Sequence, residues 1–439
     1  MNKSRCQITI PYIMLKPYYS LTLIVLLTFA CSLLFAATEK TINLENNNEF
    51  SYLHFNVTNS TINKNTIALW VVQGYPNESR FHEFSQRLTE NGIEVWMVNI
   101  LDNLFIPKGV NSTRQLTGQY VAELITRIHQ QTNKNVILVA QSYSAIPILR
   151  GARLWQKSKP KKRYLTGAVL FSPNLITAIP PLGEKPEYVD IVTQTTIPIL
   201  LFQSQKNSNR GQLQELLALF QKSNASVYTS VLKNSIAIFY HEDNSPETIR
   251  YLQELPDKIT ASLKLLESSP LPLNNTITIK QTKNRSIPLD SGLKKYQANN
   301  PPLKINLKDI DGNDFIRSDY KNRITIINFW ATWCKPCLEE IPSLNNLQAK
   351  MKGKSFEIIS INYAETPETI KKFMKEVKID FPILIDESGA QAVLWKVYAF
   401  PSTFVIAPDG KFHYGVNAGI LWDTPEVIKT LKTLYTLKK

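Results

Sequence analysis

The chain has 439 residues, 43% of them hydrophobic, which is too long for one ordinary domain and too apolar for a disordered or collagenous protein. Lysine and arginine outnumber aspartate and glutamate by 50 to 36, so the formal net charge is +14. The four cysteines, Cys6, Cys31, Cys334 and Cys337, are too few for a secreted scaffold held together by many disulfides.

The start of the chain has the pattern of an export segment. Residues 17–38 carry no charge, and three basic residues precede them. An apolar run of about 20 residues after a basic start is typical of a signal peptide or a membrane anchor, and the basic flank favours a cytoplasmic N-terminus. We expect residues 1–37 to be an uncleaved anchor or a cleaved signal, with membrane contact through residues 17–38. The remainder is then expected outside the cytoplasm.

Short apolar runs alternate with helical patterns between residues 50 and 265. The predicted strands are 66–73, 93–100, 135–140, 165–171 and 197–202, and the predicted helices include 81–91 and 117–131. Alternation of this kind predicts an α/β domain, 50–265, with a mostly parallel sheet.

The basic excess is densest at residues 157–163, Lys-Ser-Lys-Pro-Lys-Lys-Arg. Such a run can contact anionic lipid or nucleic acid. Because no interleaved aromatic residues and no nucleic-acid motif accompany it, we interpret it as a solvated loop and expect no nucleic-acid partner.

A candidate nucleophile, Ser142, follows the third predicted strand within residues 140–144, Ala-Gln-Ser-Tyr-Ser. This segment resembles the nucleophile elbow of α/β-hydrolases, G-x-S-x-G, with both glycines replaced. The resemblance implies an esterase-like site in which Ser142 attacks and His241 is the base. Where the family usually has its acid, this chain has Asn207, and an amide does not stabilise an imidazolium as a carboxylate does. Serine hydrolysis and a non-catalytic, client-binding scaffold therefore both stay open.

Residues 266–302 have the composition of a linker, with five prolines among serine, asparagine and lysine. They separate the α/β domain from a C-terminal region, 303–439, that is long enough to bury its own core.

The C-terminal region carries a dithiol at a strand–helix junction. Residues 324–330 are an apolar, β-branched run that predicts a buried strand, and residues 338–351 predict a helix. Cys334 and Cys337 lie at the helix start, where unpaired N–H groups and the helix dipole stabilise a thiolate; Lys335 adds positive charge. The spacing predicts that Cys334 attacks a target disulfide and that Cys337 resolves the mixed disulfide.

Two other roles for the cysteine pair fit the sequence less well. A zinc site needs about four ligands, and the only histidine of the region, His413, is distant in sequence. A structural disulfide that closes so small a loop adds little stability. We expect no metal and no cofactor.

The motifs around the cysteines resemble a known family. Residues 333–337, Trp-Cys-Lys-Pro-Cys, resemble the active-site motif of thioredoxins. Residues 328–332 before it and 339–342 after it resemble the TlpA/ResA group of exported, membrane-tethered thioredoxins. Residues 400–406, Phe-Pro-Ser-Thr-Phe-Val-Ile, resemble the loop of that fold with a cis-proline, and the resemblance covers about residues 303–437.

The resemblance implies a thioredoxin fold and roles for the site residues. Pro401 would be the cis-proline facing the cysteines, and Trp333 would shield the site. Glu340 would tune the acidity of the cysteines, and Glu365 and Phe400 would lie in the substrate groove.

The predicted function is that of an exported thiol–disulfide oxidoreductase of α/β class, with an α/β-hydrolase-like domain before the thioredoxin fold. The resemblance implies disulfide-bearing protein substrates, a membrane electron donor of the thiol–disulfide type and a position on the periplasmic side of a bacterial cytoplasmic membrane. The direction of transfer depends on reduction potential, which a sequence does not reveal, and the resemblance favours reduction.

Overall fold

The computed structural model describes residues 37–45, 48–57, 65–74, 79–159, 162–240, 243–270 and 292–437. These ranges do not include His241. They also leave out residues 17–36 of the predicted membrane segment 17–38. Within the described part of the chain, no helix combines the length and the apolar character needed to cross a bilayer.

The N-terminal part forms one sheet. Its strands are Thr38–Asn43 (β1), Glu49–Phe55 (β2), Thr66–Val71 (β3), Ile93–Val98 (β4), Asn135–Gln141 (β5), Leu165–Phe171 (β6), Ile199–Ser204 (β7) and Val227–Leu232 (β8). The order across the sheet is β1-β2-β4-β3-β5-β6-β7-β8. Strand β2 pairs antiparallel with β1 and β4, whereas the pairs from β4 to β8 are parallel. The central strands are uninterrupted apolar runs because both faces of a parallel sheet are covered.

Helices cover both faces of this sheet. They are Ser79–Glu90 (α1), Ile100–Asn103 (α2), Val110–Gln115 (α3), Gln119–Thr132 (α4), Ala145–Ser158 (α5), Leu213–Lys222 (α6) and Pro246–Ser268 (α7). Helices α4, α5 and α6 share a core with Leu69 of β3, while α1 and α7 share one with Ala68 and Trp70. Successive side chains of β3 thus enter opposite layers, as the strand period of two requires.

The first sheet extends beyond the predicted limits of 50 and 265. Strand β1 pairs with β2 from Thr38 onwards, and α7 continues to Ser268. Only Ile42 is buried in β1, because an edge strand buries little and keeps its polar residues in solvent. Its sequence therefore lacks the apolar pattern that identified the central strands.

The C-terminal part forms a second sheet. Its strands are Lys294–Lys295 (β9), Ile305–Asp309 (β10), Asp314–Arg317 (β11), Ile324–Trp330 (β12), Phe356–Tyr363 (β13), Ile383–Asp386 (β14), Ser402–Ile406 (β15) and Phe412–Val416 (β16). The order is β11-β10-β14-β13-β12-β15-β16-β9. The helices are Lys335–Lys350 (α8), Pro367–Phe373 (α9), Ala390–Leu394 (α10) and Pro425–Thr433 (α11). Because β9 pairs with β16, the predicted linker 266–302 reaches too far toward the C-terminus.

The two parts of the chain contact each other. Leu182, which follows β6, is buried in the same core as Phe404 of the second sheet. Asn417 donates from Nδ2 to the carbonyl of Pro180 at 3.0 Å. Tyr363 donates its hydroxyl to the carbonyl of Asn207 at 3.4 Å. The loops of the first part therefore pack against the second sheet.

Candidate active site

Cys334 and Cys337 lie where β12 turns into α8, and they form a disulfide with their Cα atoms 5.2 Å apart. Cys334 is the N-cap residue of α8, and its Sγ accepts a hydrogen bond from the backbone N–H of Cys337 at 3.3 Å. Cys337 is fully buried, whereas Cys334 is 6% exposed. The sulfur of Cys334 is therefore the one that a partner can reach.

A loop with a cis peptide bond, Phe400–Pro401, lies beside the cysteines. Strand β15 starts directly after it, and its Ser402 pairs with Phe329 of β12, the strand that leads to Cys334. Phe400 and Trp333 both pack against the cluster that contains the two cysteines. Their rings meet edge-on with centroids 5.8 Å apart. The aromatic pair thus forms one wall of the dithiol site.

Glu340 lies one turn after Cys337 on α8 and is buried. Its carboxylate accepts from Asn328 Nδ2 at 2.8 Å and from Trp422 Nε1 at 3.0 Å. Burial raises the pKa of Glu340 to about 7, although hydrogen bonds from Trp422, Asn328 and the backbone of Ile420 act in the opposite direction. A group of this kind can hold or release a proton near neutral pH, on the helix face that carries Cys337.

Glu365, predicted to lie in the substrate groove, is bound to the loop before Cys334. It is 1% exposed and accepts from the backbone N–H of Thr332 at 2.7 Å and from Thr332 Oγ1 at 2.5 Å. Asn362 donates to it from Nδ2 at 2.9 Å. Its carboxylate therefore fixes the loop before Cys334 and does not line an open groove.

Ser142 lies at a comparable turn of the first sheet. It follows β5, precedes α5 and has a φ of +50°. Non-glycine residues rarely adopt this left-handed region, because of the steric clash of Cβ with the backbone. A strained strand-to-helix turn of this type is the geometry of a nucleophile elbow.

The backbone donors next to Ser142 are already occupied. With its amide oxygen turned toward them, Gln73 accepts from the N–H of Tyr143 at 3.2 Å and of Ser144 at 2.7 Å. In an elbow, the N–H of the residue after the nucleophile stabilises the oxyanion. Here the amide oxygen of Gln73 lies where the oxyanion would accept from the Tyr143 N–H.

Asn207, predicted at the acid position, has a structural role. Its Oδ1 accepts from the N–H of Asn209 at 3.2 Å, and its Nδ2 donates to the carbonyl of Ile236 at 3.3 Å. Both ends of the amide are thus bound to backbone groups of nearby loops. Because His241 lies outside the described residues, its pairing with Ser142 stays a prediction.

Several residues of these sites were not found from sequence. Asn328 begins the segment 328–332 singled out from the sequence, but no role was assigned to it, and Gln73 and Trp422 were not singled out. Each acts on a group distant in sequence. Over the described ranges, no group of three or more His, Cys, Asp or Glu side chains is arranged to hold a metal.

Comparison with known proteins gives matches to the C-terminal part. Residues 299–414 match the AhpC/TSA family. Thiol-disulfide oxidoreductase ResA of Bacillus thuringiensis subsp. konkukian (strain 97-27) is 39% identical over 103 residues, which cover 24% of this chain and 60% of that protein. For ResA of Bacillus subtilis (strain 168), identity is 34% over 105 residues, covering 24% and 59%.

Among solved structures, StoA from Bacillus subtilis is 24% identical, with a TM-score of 0.26, over 30% of this chain and 97% of that one. The chain spans only about 60% of the length of the ResA proteins it matches. The cysteine pair lies inside the range 299–414 that matches the AhpC/TSA family. Over 103 residues, the chain is similar to a protein named thiol-disulfide oxidoreductase ResA.

Proposed function

We propose that this protein is an exported thiol–disulfide oxidoreductase that reduces protein disulfides through Cys334 and Cys337. The observation that carries the proposal is the position of the pair at the start of α8, with Cys334 as the reachable sulfur and Cys337 buried behind it. The similarity of residues 299–414 to proteins named thiol-disulfide oxidoreductase supports it.

The chemistry transfers two electrons in two exchange steps. In the reduced protein, the Cys334 thiolate attacks one sulfur of the target disulfide, and the other target sulfur leaves as a thiolate. Cys337 then attacks the Cys334 sulfur, which releases the second target thiolate and closes the Cys334–Cys337 disulfide. The N–H of Cys337, which already points at Cys334 Sγ, and the N-terminus of α8 stabilise the attacking thiolate.

Glu340 is suited to take the proton that Cys337 loses before it attacks. Among the described residues, the donors to its carboxylate are neutral: the side chains of Asn328 and Trp422 and the backbone of Ile420. Burial raises its pKa to about 7, so its protonation changes near neutral pH. We assign it a proton-holding role beside the resolving thiol.

The resting disulfide must be reduced again before the next cycle. We propose a thiol–disulfide electron donor in the membrane as the partner for this step, as the resemblance to membrane-tethered thioredoxins implies. The charge pattern of residues 1–37 predicts an anchor or a signal that would deliver residues 38–439 to the periplasmic side, where such a donor could reach the disulfide. A thiolate of that donor would attack the Cys334–Cys337 disulfide, and its second thiol would resolve the mixed disulfide and leave both cysteines reduced.

Trapping tests the proposal. Cys337→Ser in the full chain leaves Cys334 without its resolving thiol, so covalent partners should accumulate and be released by dithiothreitol. The double variant Cys334→Ser/Cys337→Ser is the matched control and should trap nothing. Partners that remain in the double variant, or none in Cys337→Ser, would contradict the assignment.

A second candidate function is hydrolysis at Ser142, favoured by the positive φ at this strand-to-helix turn. A serine-reactive fluorophosphonate should then label the full chain and not Ser142→Ala. Because Gln73 occupies the Tyr143 N–H, Gln73→Ala should increase labelling if the site is hydrolytic. If neither protein is labelled, the client-binding alternative remains, and the set of partners trapped by Cys337→Ser should change when residues 50–265 are removed.

A further inference from the structure

A cavity of about 580 Å³ lies between the two parts of the chain. Arg114 of α3, Tyr143 and the loop 178–182 form its N-terminal wall. Residues 294–297 and 415–418 form its C-terminal wall. Its volume is within the range of about 300–1,000 Å³ that is usual for small-molecule sites.

Arg114 is the exceptional residue of this cavity. It is 7% exposed, and its Nε and Nη2 atoms are buried without a hydrogen-bond partner. Its guanidinium lies over the ring of Tyr143, with Cζ 4.7 Å from the ring centroid. Among the described residues, no carboxylate pairs with it. The ring stabilises the cation only in part, so its charge has no counterion within the described ranges.

A buried charge without a counterion costs free energy, and an anion that pairs with it recovers that cost. The other charged residues that line the cavity are Lys294 and Lys295, and none of its described lining residues is acidic. The cavity therefore favours a negatively charged occupant.

The rest of the cavity wall is mainly apolar. Ile179, Pro180, Leu182 and Val416 line it together with two tyrosine rings. Such a surface excludes a small hydrated ion and stabilises a hydrocarbon or aromatic body. The polar and apolar walls together fit an amphiphilic molecule.

We propose that this cavity binds a small organic monocarboxylate, with its carboxylate on Arg114 and its apolar body against Leu182 and Val416. The fork of a guanidinium matches a carboxylate with two parallel hydrogen bonds. A phosphate monoester carries about −1.5 to −2 charges at pH 7, more than the one buried guanidinium pairs. Lys294 and Lys295 also line the cavity but are exposed, so solvent screens their charge. Since both parts of the chain form the wall, the ligand would contact the two at once.

Calorimetric titration of the full chain with octanoate tests the proposal, with a protein-free titration in the same detergent subtracted. Octanoate should bind saturably, and the neutral isostere octanamide should bind about tenfold more weakly or worse, because it cannot neutralise Arg114. Octyl phosphate should bind more weakly than octanoate. No saturable binding of octanoate, or equal binding of octanamide, overturns the proposal. Tighter binding of octyl phosphate overturns the assignment to a carboxylate.

Arg114→Gln should abolish the preference for octanoate over octanamide. It should leave the melting temperature of the ligand-free protein unchanged or raised, because it removes an uncompensated buried charge. Arg250→Gln, an exposed arginine on α7, is the matched control and should keep the preference. Unchanged octanoate affinity in Arg114→Gln overturns the proposal.

If Arg114→Gln does not fold, Arg114→Lys decides the question. It keeps the positive charge and loses the guanidinium fork, so octanoate should bind more weakly than to the parent protein but still more tightly than octanamide. Equal affinities for the two ligands in this variant overturn the proposal.

Discussion

Ser142 and Cys334 occupy comparable positions, each at a turn where a buried strand leads into a helix. The two turns differ in the groups that surround the side chain. At the first, Ser142 has the left-handed backbone of an elbow, but Gln73 occupies the neighbouring donors. At the second, Cys334 caps its helix and receives the Cys337 N–H on its sulfur. Both turns thus have a backbone that can present a nucleophile. They differ in whether a neighbouring N–H is bound to another side chain or points at the nucleophile itself.

The two parts also differ in their buried glutamates. Burial would raise the pKa of Glu94 in β4, but hydrogen bonds from His54, Lys134 and Trp96 and the charge of Lys134 outweigh it and lower the pKa to about 2. Glu340 has only neutral donors on its carboxylate, and burial raises its pKa to about 7. A cationic partner makes a buried carboxylate a permanent structural anion, whereas its absence leaves one that exchanges a proton near neutral pH.

The largest expected effect separates the two nucleophiles. In insulin reduction with dithiothreitol, Cys334→Ser should reduce the rate to that of the uncatalysed reaction, because the attacking sulfur is lost. Ser142→Ala should leave the rate unchanged, since its turn lies in the other sheet. Substantial activity in Cys334→Ser, or a clear loss in Ser142→Ala, would contradict the division between the two turns.

The next effect concerns Glu94. Glu94→Gln should lower the free energy of unfolding by about 3–5 kcal/mol at pH 7, since it leaves Lys134 and its partners without their anion. Because the folded pKa lies below the ordinary value of 4.5, this contribution is present above pH 4.5 and is lost as the pH falls toward 2. Urea unfolding between pH 3 and pH 7 measures it.

The control for this variant is Glu254→Gln, an exposed glutamate on α7 with two surface pairs. It should change the free energy of unfolding by less than about 1 kcal/mol. Equal losses in the two variants would show that Glu94 is not a structural anion.

Glu340→Gln should have a smaller effect of opposite pH dependence. The pKa of Glu340 is raised from 4.5 to about 7 in the folded protein. As the pH rises from 4.5 to about 7, the carboxyl therefore ionises in the unfolded chain but not yet in the folded one. This favours the unfolded chain, so the parent protein loses stability over this range. The variant lacks this loss and should gain about 1–3 kcal/mol relative to the parent between pH 4.5 and pH 8. Parallel stability profiles of the two proteins would refute the raised pKa.

The same variant tests the proposed proton-holding role. The pH profile of insulin reduction should change in Glu340→Gln, and Glu340→Asp should restore part of the parent profile. An unchanged profile in the glutamine variant would leave Glu340 with a packing role alone.

The smallest expected effect comes from Asn207→Asp, which places a carboxylate at the predicted acid position. Its oxygen would face the Ile236 carbonyl that Nδ2 now contacts, so we expect a loss of about 1 kcal/mol in stability. Fluorophosphonate labelling of Ser142 should not increase, because Gln73 still occupies the Tyr143 N–H. Increased labelling would show that the acid alone separates this turn from an active hydrolase.

The buried strands could be predicted from the sequence, because the pattern that identifies each one lies within a single short segment. The apolar runs at 165–171 and 324–330 coincide with β6 and β12, because strands covered on both faces must be continuously apolar. The four edge strands β1, β8, β9 and β11 were not predicted, because edge strands bury too little to leave a pattern. Strands β2, β10 and β16 were also not predicted, since none of them is buried along its whole length.

The cysteine pair could be predicted from the sequence alone, because two cysteines three residues apart at a helix start are a local arrangement. It also indicated the turn at Ser142. The surroundings of these groups became visible only in the folded chain. Trp422 donates to Glu340, Gln73 accepts from the Tyr143 N–H, and Arg114 has no counterion among the described residues that line the cavity between the two parts. Burial and hydrogen-bond partners join residues far apart along the chain, so no spacing in the sequence records them.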